Sequence, residues 1–154
     1  MINVMSSSAA AAKAKKIPPM PDKFVRNDKV MGLIECNFYE YLNELQSAMV
    51  MFYNPSCPAC QRNRPHYIKA AKNMRRDGHA YAAVDCTQEV ELCKREGVTR
   101  LPTFQLYTKG TYVSHRDFPL DYIRIGDFLE AGATLKEKII QKDQVDPPCP
   151  EKKK

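Results

Sequence analysis

Three observations in the 154 residues predict an α/β fold with one mixed central sheet and helices on both faces. Candidate elements follow in the order β-α-β-α-β-α-β-β-α, which layers helices over a sheet. An uninterrupted apolar run from Ala48 to Tyr53 reads as a buried strand. That run feeds an Asn54-Pro55 turn and then Cys57-Pro58-Ala59-Cys60, beyond which the pattern turns helical and basic with Arg62 and Arg64.

Taken in order, residues 1–29 (a Ser/Ala/Lys run, then Ile17-Pro18-Pro19-Met20-Pro21) read as a disordered basic arm or linker. The domain is expected over residues 30–141. Val30 to Leu33 forms a short strand candidate. Asn37 reads as a helix cap, with Glu40 three residues on completing a capping box, and Phe38, Leu42 and Leu45 follow at helical spacing. After the apolar strand, the cysteine helix is expected from Cys57 to about Arg76. Cys60, Tyr67, Ala71 and Met74 share one face of it, while Arg62, Lys69, Lys72 and Arg76 fall largely on another. Pro65 should kink it, and Asp77-Gly78 should end it.

The next strand is His79 to Asp85. Thr87 is read as the cap of a third helix that ends at Lys94 and Arg95, with Gly97 just beyond. Strands 103–107 and 111–115 form a hairpin about Lys109-Gly110. Ile125, Phe128 and Leu129 mark a closing helix, and a box at Thr134-Leu135-Lys136-Glu137 could begin an extension. Residues 142–154 read as a Pro/Lys-rich tail or linker.

The Cys-x-x-Cys at a strand-to-helix junction has a definite chemistry. The first sulfur sits where unpaired helical N–H groups and the helix dipole favour an anion, here a thiolate. The second lies one turn on, within reach of a small disulfide. Pro58 suits the first turn because its missing N–H would have no partner there. The layout is that of a thiol–disulfide exchange site. The bland alternatives are an inert disulfide or half of a zinc site. Zinc needs a second ligand pair, and the six residues between Cys86 and Cys93 are poor zinc-finger spacing. His66, His79 and His115 show no ligand or catalytic spacing and read as surface or packing residues.

The formal charge is +6, but residues 30–135 carry 12 Lys/Arg against 12 Asp/Glu. The excess therefore lies in the tails, which argues for solvated ends and against nucleic-acid binding. Nothing approaches a transmembrane length. Six cysteines point to an oxidising compartment, yet residues 1–20 contain no apolar core of a secretory signal. Either the chain is a piece of a longer one that carries the leader, or the compartment inference fails. Cys36 is expected to be a small buried residue. Cys149 is expected to be incidentally exposed, with an intermolecular bridge as the alternative.

Phe52-Tyr53-Asn54-Pro55-Ser56-Cys57-x-x-Cys60, Pro65 five residues on, Val84-Asp85-Cys86-Thr87, and Gly97-Val98 followed by Leu101-Pro102-Thr103 together resemble the catalytic domain of the protein disulfide-isomerase family. The likeness covers roughly residues 30–131 and implies a thioredoxin fold. It implies Cys57 as nucleophile and Cys60 as resolving thiol. It also implies Pro102 as a cis-proline whose loop, with Leu101, Pro58 and Ala59, meets an extended substrate. Cys86 and Cys93 match a pair that forms a structural disulfide in some relatives.

Several positions depart from the family pattern. Ser56 stands where the family usually has tryptophan, and Pro58-Ala59 where it has Gly-His. Loss of that histidine should raise the Cys57 pKa and make the disulfide less oxidising, with Arg62 and Arg64 compensating in part. A buried glutamate and its lysine partner fall at Met51 and Ala83. Losing both is coherent, because losing one would strand a buried charge. The branch called PDI-related protein is similar in having methionine and alanine at such positions. An arginine near the cis-proline is Thr99 here, with Arg100 one place along. These losses imply slower turnover than in a typical member.

The resemblance implies an enzyme that forms, reduces or reshuffles disulfides in cysteine-containing polypeptides of the endoplasmic reticulum or secretory pathway. It would need no metal or organic cofactor, exchanging electrons with glutathione or a partner oxidase, as a monomer or within a multidomain chain. Two alternatives stand beside it. One is a thioredoxin-like reductant outside the secretory pathway. The other is a substrate-binding or chaperone module with vestigial redox chemistry.

Overall fold

The computed structural model describes residues 17–74, 76–133 and 145–149. Strand β3 (Ser47–Tyr53) is the centre of the molecule, and all seven of its residues are buried. Its alternation sorts them onto two faces. Met49, Met51 and Tyr53 enter one core cluster; Ala48, Val50 and Phe52 enter the other. Parallel to it runs β4 (His79–Asp85), followed outward by β2 (Val30–Gly32), also parallel, and β1 (Met20–Pro21), antiparallel. On its other side lie β5 (Thr103–Thr108) and β6 (Thr111–Arg116), both antiparallel to their neighbours. Among the described residues the sheet order is thus β1-β2-β4-β3-β5-β6.

Helices α2 (Pro58–Lys72) and α4 (Tyr122–Glu130) cover one face, and α1 (Phe38–Asn43) and α3 (Val90–Arg95) the other. A 3₁₀ turn, Ala131–Ala133, follows α4. Tyr67 fixes α2 to the sheet: its fully buried hydroxyl donates to the Ala82 carbonyl at 2.7 Å and lies 3.0 Å from that of Met49. The β5–β6 hairpin turns on Lys109 (φ 50°) and Gly110 (φ 83°), the two successive left-handed residues of a primed hairpin turn.

The structure departs from the sequence reading at the element ends and in both tails. The cysteine helix ends at Lys72 rather than near Arg76, with Pro65 inside it. Asn37 precedes α1 but makes no side-chain cap; its Oδ1 accepts instead from the Ile34 N–H at 2.9 Å. The cap comes from the far end of the chain. Asp146 accepts the N–H groups of Tyr39 and Glu40, both at 2.9 Å, so the capping box with Glu40 does not form. Thr87 does not begin α3, which is preceded by Glu89; Thr87 turns back onto the Asp85 carboxylate.

Residues 17–29 are not a free arm. Met20 and Pro21 pair with Gly32 and Met31, and Asp22 and Val25 are buried. The C-terminal segment 145–149 is likewise tied down, because Cys149 is disulfide-bonded to Cys36 with their Cα atoms 5.0 Å apart. Neither cysteine is the isolated residue expected, and the bridge is intramolecular. The extension at 134–137 lies outside the described residues.

Candidate active site

Strand β3 delivers Tyr53 to the C-terminal end of the parallel strands, and the turn at Asn54-Pro55 then starts α2. Asn54 holds that turn together. Its side-chain Oδ1 accepts from the Ser56 N–H at 2.8 Å, and its carbonyl accepts from the Cys57 N–H at 3.0 Å. Cys57 is the N-cap of α2, in extended backbone conformation, and its sulfur accepts the Cys60 N–H at 3.4 Å. Pro58 occupies the first helical turn, where the missing N–H costs nothing. Both cysteines are free thiols, Cys57 half-buried and Cys60 fully buried.

Their environments push the two thiols apart. For Cys57, partial burial acts to raise the pKa. The Cys60 N–H and thiol, the Ala59 N–H and the Arg62 guanidinium outweigh it and hold the group below its ordinary value. For Cys60, burial dominates, the adjacent Cys57 sulfur adds to it, and the opposing Asn54 N–H does not offset them, so the thiol is pushed up to about 12. At neutral pH the pair is one accessible, thiolate-prone sulfur beside one that keeps its proton.

The other expected residues are placed as follows. The Leu101–Pro102 peptide is cis. Because Thr103 pairs with Phe52, Pro102 lies at the same end of the sheet as Tyr53 and the cysteine turn. Leu101 is half-buried and packs against both core clusters. Cys86 and Cys93 are joined, which ties the residue after β4 to α3. Of the three arginines, Arg62 acts on Cys57 through its charge. Arg64 turns away: its guanidinium lies 5.2 Å from the Phe24 ring centre and donates to the Phe24 carbonyl at 3.2 Å. Arg100 is an exposed residue whose carbonyl accepts the Thr103 hydroxyl.

Beneath the site, Met51 and Ala83 are direct partners across β3 and β4, and both are fully buried. The positions that depart from the acidic and basic family pattern therefore face one another in an apolar interior. What the sequence reading missed is Asp22. It sits 6% exposed in a segment read as linker, with both carboxylate oxygens 3.0 Å from the Tyr53 hydroxyl. A lone aspartate between Pro21 and Lys23 carries no periodicity that could reveal burial.

The family model described as Thioredoxin matches residues 29–130. The chain belongs to the thioredoxin family. Within it, the likeness is to disulfide isomerases: 39% identity over 65% of this chain to protein disulfide-isomerase A5 of Bos taurus. Protein disulfide-isomerase A4 of Homo sapiens is 32% identical over 82% of the chain. The chain spans about a fifth of the length of these relatives, 20% in each case. Among solved structures, human ERp44 in a zinc-bound form aligns with a TM-score of 0.61 at 22% identity, covering 66% of this chain and 29% of that one. Thioredoxin f from spinach chloroplast aligns at 0.61 and 20% identity, covering 68% and 94%. These confirm the thioredoxin fold with its mixed central sheet. Among the described residues, no helix is long and apolar enough to cross a membrane.

Proposed function

We propose that this thioredoxin-family domain is a thiol–disulfide oxidoreductase of the disulfide-isomerase kind, working on cysteine-containing polypeptides of the secretory pathway. The observation that carries the reading is the asymmetry of the two thiols: Cys57 lowered at a helix N-terminus, Cys60 buried and raised behind it. Cys57 attacks a substrate disulfide as thiolate and forms a mixed disulfide, releasing one substrate thiolate. Cys60 then attacks Cys57, closing Cys57–Cys60 and releasing the second substrate sulfur. Both enzyme sulfurs are oxidised and the substrate disulfide is reduced by two electrons; run backwards, the same steps insert a disulfide. The catalytic residues in this reading are Cys57 and Cys60. Cis-Pro102 and Leu101, with Pro58 and Ala59, form the lip against which an extended substrate lies.

No metal or organic cofactor enters the reaction; glutathione or a partner oxidase exchanges electrons with the dithiol. The endoplasmic reticulum is the compartment this reading favours. It is supported by two further disulfides, Cys36–Cys149 and Cys86–Cys93, which would be reduced in the cytosol. The same pair of bridges weighs against a reductant outside the secretory pathway.

The test is recovery of activity by a small disulfide-scrambled enzyme in glutathione buffer. The intact domain should accelerate recovery over buffer alone, and Cys57→Ser should abolish the acceleration. No acceleration by the wild type would overturn the proposal. An equal effect from Cys57→Ser would replace it with a substrate-binding module.

A further inference from the structure

The carboxyl ends of the three parallel strands carry more than the dithiol. Gly32, Asp85 and Tyr53 close β2, β4 and β3. Beside them, residues of the segment 17–23 help to wall a cavity of about 330 Å³. That volume lies at the lower end of the roughly 300–1,000 Å³ typical of ligand pockets. Its walls are mostly apolar, with Ile17, Pro18, Met20, Leu33 and Ile34 among them. Asp22, Asp85 and Glu89 line it too, and among the described residues Lys23 is the one Lys or Arg that does.

The three carboxylates are oriented before any guest arrives. Asp22 accepts the N–H groups of Phe24 and Val25 at 3.0 and 2.9 Å, Glu89 that of Glu35 at 2.8 Å, and Asp85 that of Thr87 at 2.9 Å. A carboxylate offers about four acceptor sites, so each keeps capacity for a further donor. Burial chiefly, with the charge of Asp85 adding to it, raises the carboxyls of both Asp22 and Glu89. A positive guest relieves that repulsion. Among the described residues no group of carboxylates, histidines or cysteines is arranged to hold a metal ion. The apolar wall suits instead an organic cation that carries its charge on a methylene stem.

The cavity is also near the reacting sulfur. Tyr53 lines it, and the stretch from Tyr53 to Cys57 spans at most about 14 Å even when fully extended. The sheet order puts β4 on one side of β3 and β5, with the cis-Pro102 loop before it, on the other. A polypeptide crossing Cys57 therefore meets Pro102 on one flank and the cavity on the opposite one. We propose that this cavity binds a lysine or arginine side chain of the substrate polypeptide, a few residues from the cysteine that Cys57 attacks. The proposal rests on the dithiol reading above and names its substrate class, cysteines in basic segments. The stem of the guest packs on Ile17, Pro18 and Ile34. Its charged head meets the half-buried Asp85 and Glu89 and the more deeply buried Asp22. The same carboxylates repel an acidic residue at that place, so the cavity discriminates by sign.

The reduced full chain is mixed with self-quenched, disulfide-linked peptide pairs, and the second-order rate constant is read from the fluorescence gained. The peptides are identical except for Lys, Arg, Gln or Glu a few residues before or after the cysteine. In one of the two placements the Lys and Arg peptides should react about tenfold faster than the Gln peptide. The Glu peptide should be slower still, and added salt should narrow the differences. Asp85→Asn combined with Glu89→Gln keeps the acceptors of the Thr87 and Glu35 N–H groups while removing two charges. It should bring the Lys and Gln peptides to within about twofold of each other. Glu89→Lys alone should narrow the gap between the Lys and Glu peptides. Equal rates for all four peptides, or a Lys preference that survives the double variant, would overturn the proposal. So would a preference that emerges only when Lys13, Lys15 and Lys16 are all replaced by Gln, since the occupant would then be the chain's own lysines. A chain that reduces none of the peptides would instead overturn the dithiol reading itself.

Discussion

The two thiols, three residues apart, should differ in reactivity by more than about a thousandfold at pH 7. An ordinary thiol near pKa 8.5 is a few per cent ionised at that pH, and Cys57 is held below its ordinary value. Cys60, pushed up to about 12, is ionised in only about one molecule in 10⁵ at pH 7, because each pH unit below the pKa is a factor of ten. Alkylation follows the thiolate, so a limiting pulse of iodoacetamide on the reduced dithiol should add one label. Peptide mapping should place it on Cys57. Burial of Cys60 widens the gap further by blocking access. Labelling of the two within tenfold of each other would refute the reasoning, since it would mean that helix-cap N–H groups and burial do not separate the pair.

Three other outcomes follow from the same structure. Loop-entropy reasoning makes Cys36–Cys149, with a separation of 113 residues, worth about 4.8 kcal/mol, against about 2.4 kcal/mol for Cys86–Cys93 with a separation of 7. Urea unfolding of the paired Cys→Ser variants should rank them in that order. Tyr67→Phe should cost about 1–2 kcal/mol in the same assay, because it leaves the Ala82 carbonyl without its partner from α2. Asp22, Glu89 and Asp146 are all raised, in each case chiefly by burial. The native state therefore binds more protons than the unfolded state between the ordinary and the raised carboxyl values. Their contribution to stability is present below the ordinary values and is lost as pH rises through the raised ones. Measured by urea midpoint, this contribution should fall away as pH rises out of the ordinary carboxyl range near about pH 4; Asn and Gln replacements at the three positions that leave the pH dependence of the midpoint unchanged would contradict it.

What the sequence made legible was the part built by local rules. The apolar run 48–53 could only be a buried strand, and Cys-Pro-Ala-Cys at its end carried both the helix start and the chemistry. Lys109-Gly110 between two alternating segments signalled its turn, the element order gave a mixed sheet with helices on both faces, and the resemblance to the disulfide-isomerase family implied the thioredoxin fold. The failures involve partners distant in sequence. Asn37 and Glu40 have the composition of a capping box, yet Asp146, 107 residues from Tyr39, supplies the carboxylate. Tertiary contact overrode a local preference worth about 1 kcal/mol. Cys36 and Cys149 each looked incidental because neither lies in a motif, and no spacing rule pairs cysteines across a domain. Asp22 was hidden in the same way: the Pro-rich composition around it resembles a linker, and only the two-residue strand β1 seats it against Tyr53.

The central claim is that Cys57 and Cys60 form a reversible redox pair within a framework whose other bridges persist. Equilibration of the full chain across glutathione buffers, with thiols trapped and counted by mass, tests it most directly. The expected result is gain and loss of two thiols together at Cys57 and Cys60, with Cys36–Cys149 and Cys86–Cys93 intact throughout. A midpoint near about −180 mV would match the isomerase reading, and one near about −270 mV a thioredoxin-like reductant. A chain in which Cys57 and Cys60 never bridge, or in which all six cysteines titrate together, would contradict the account.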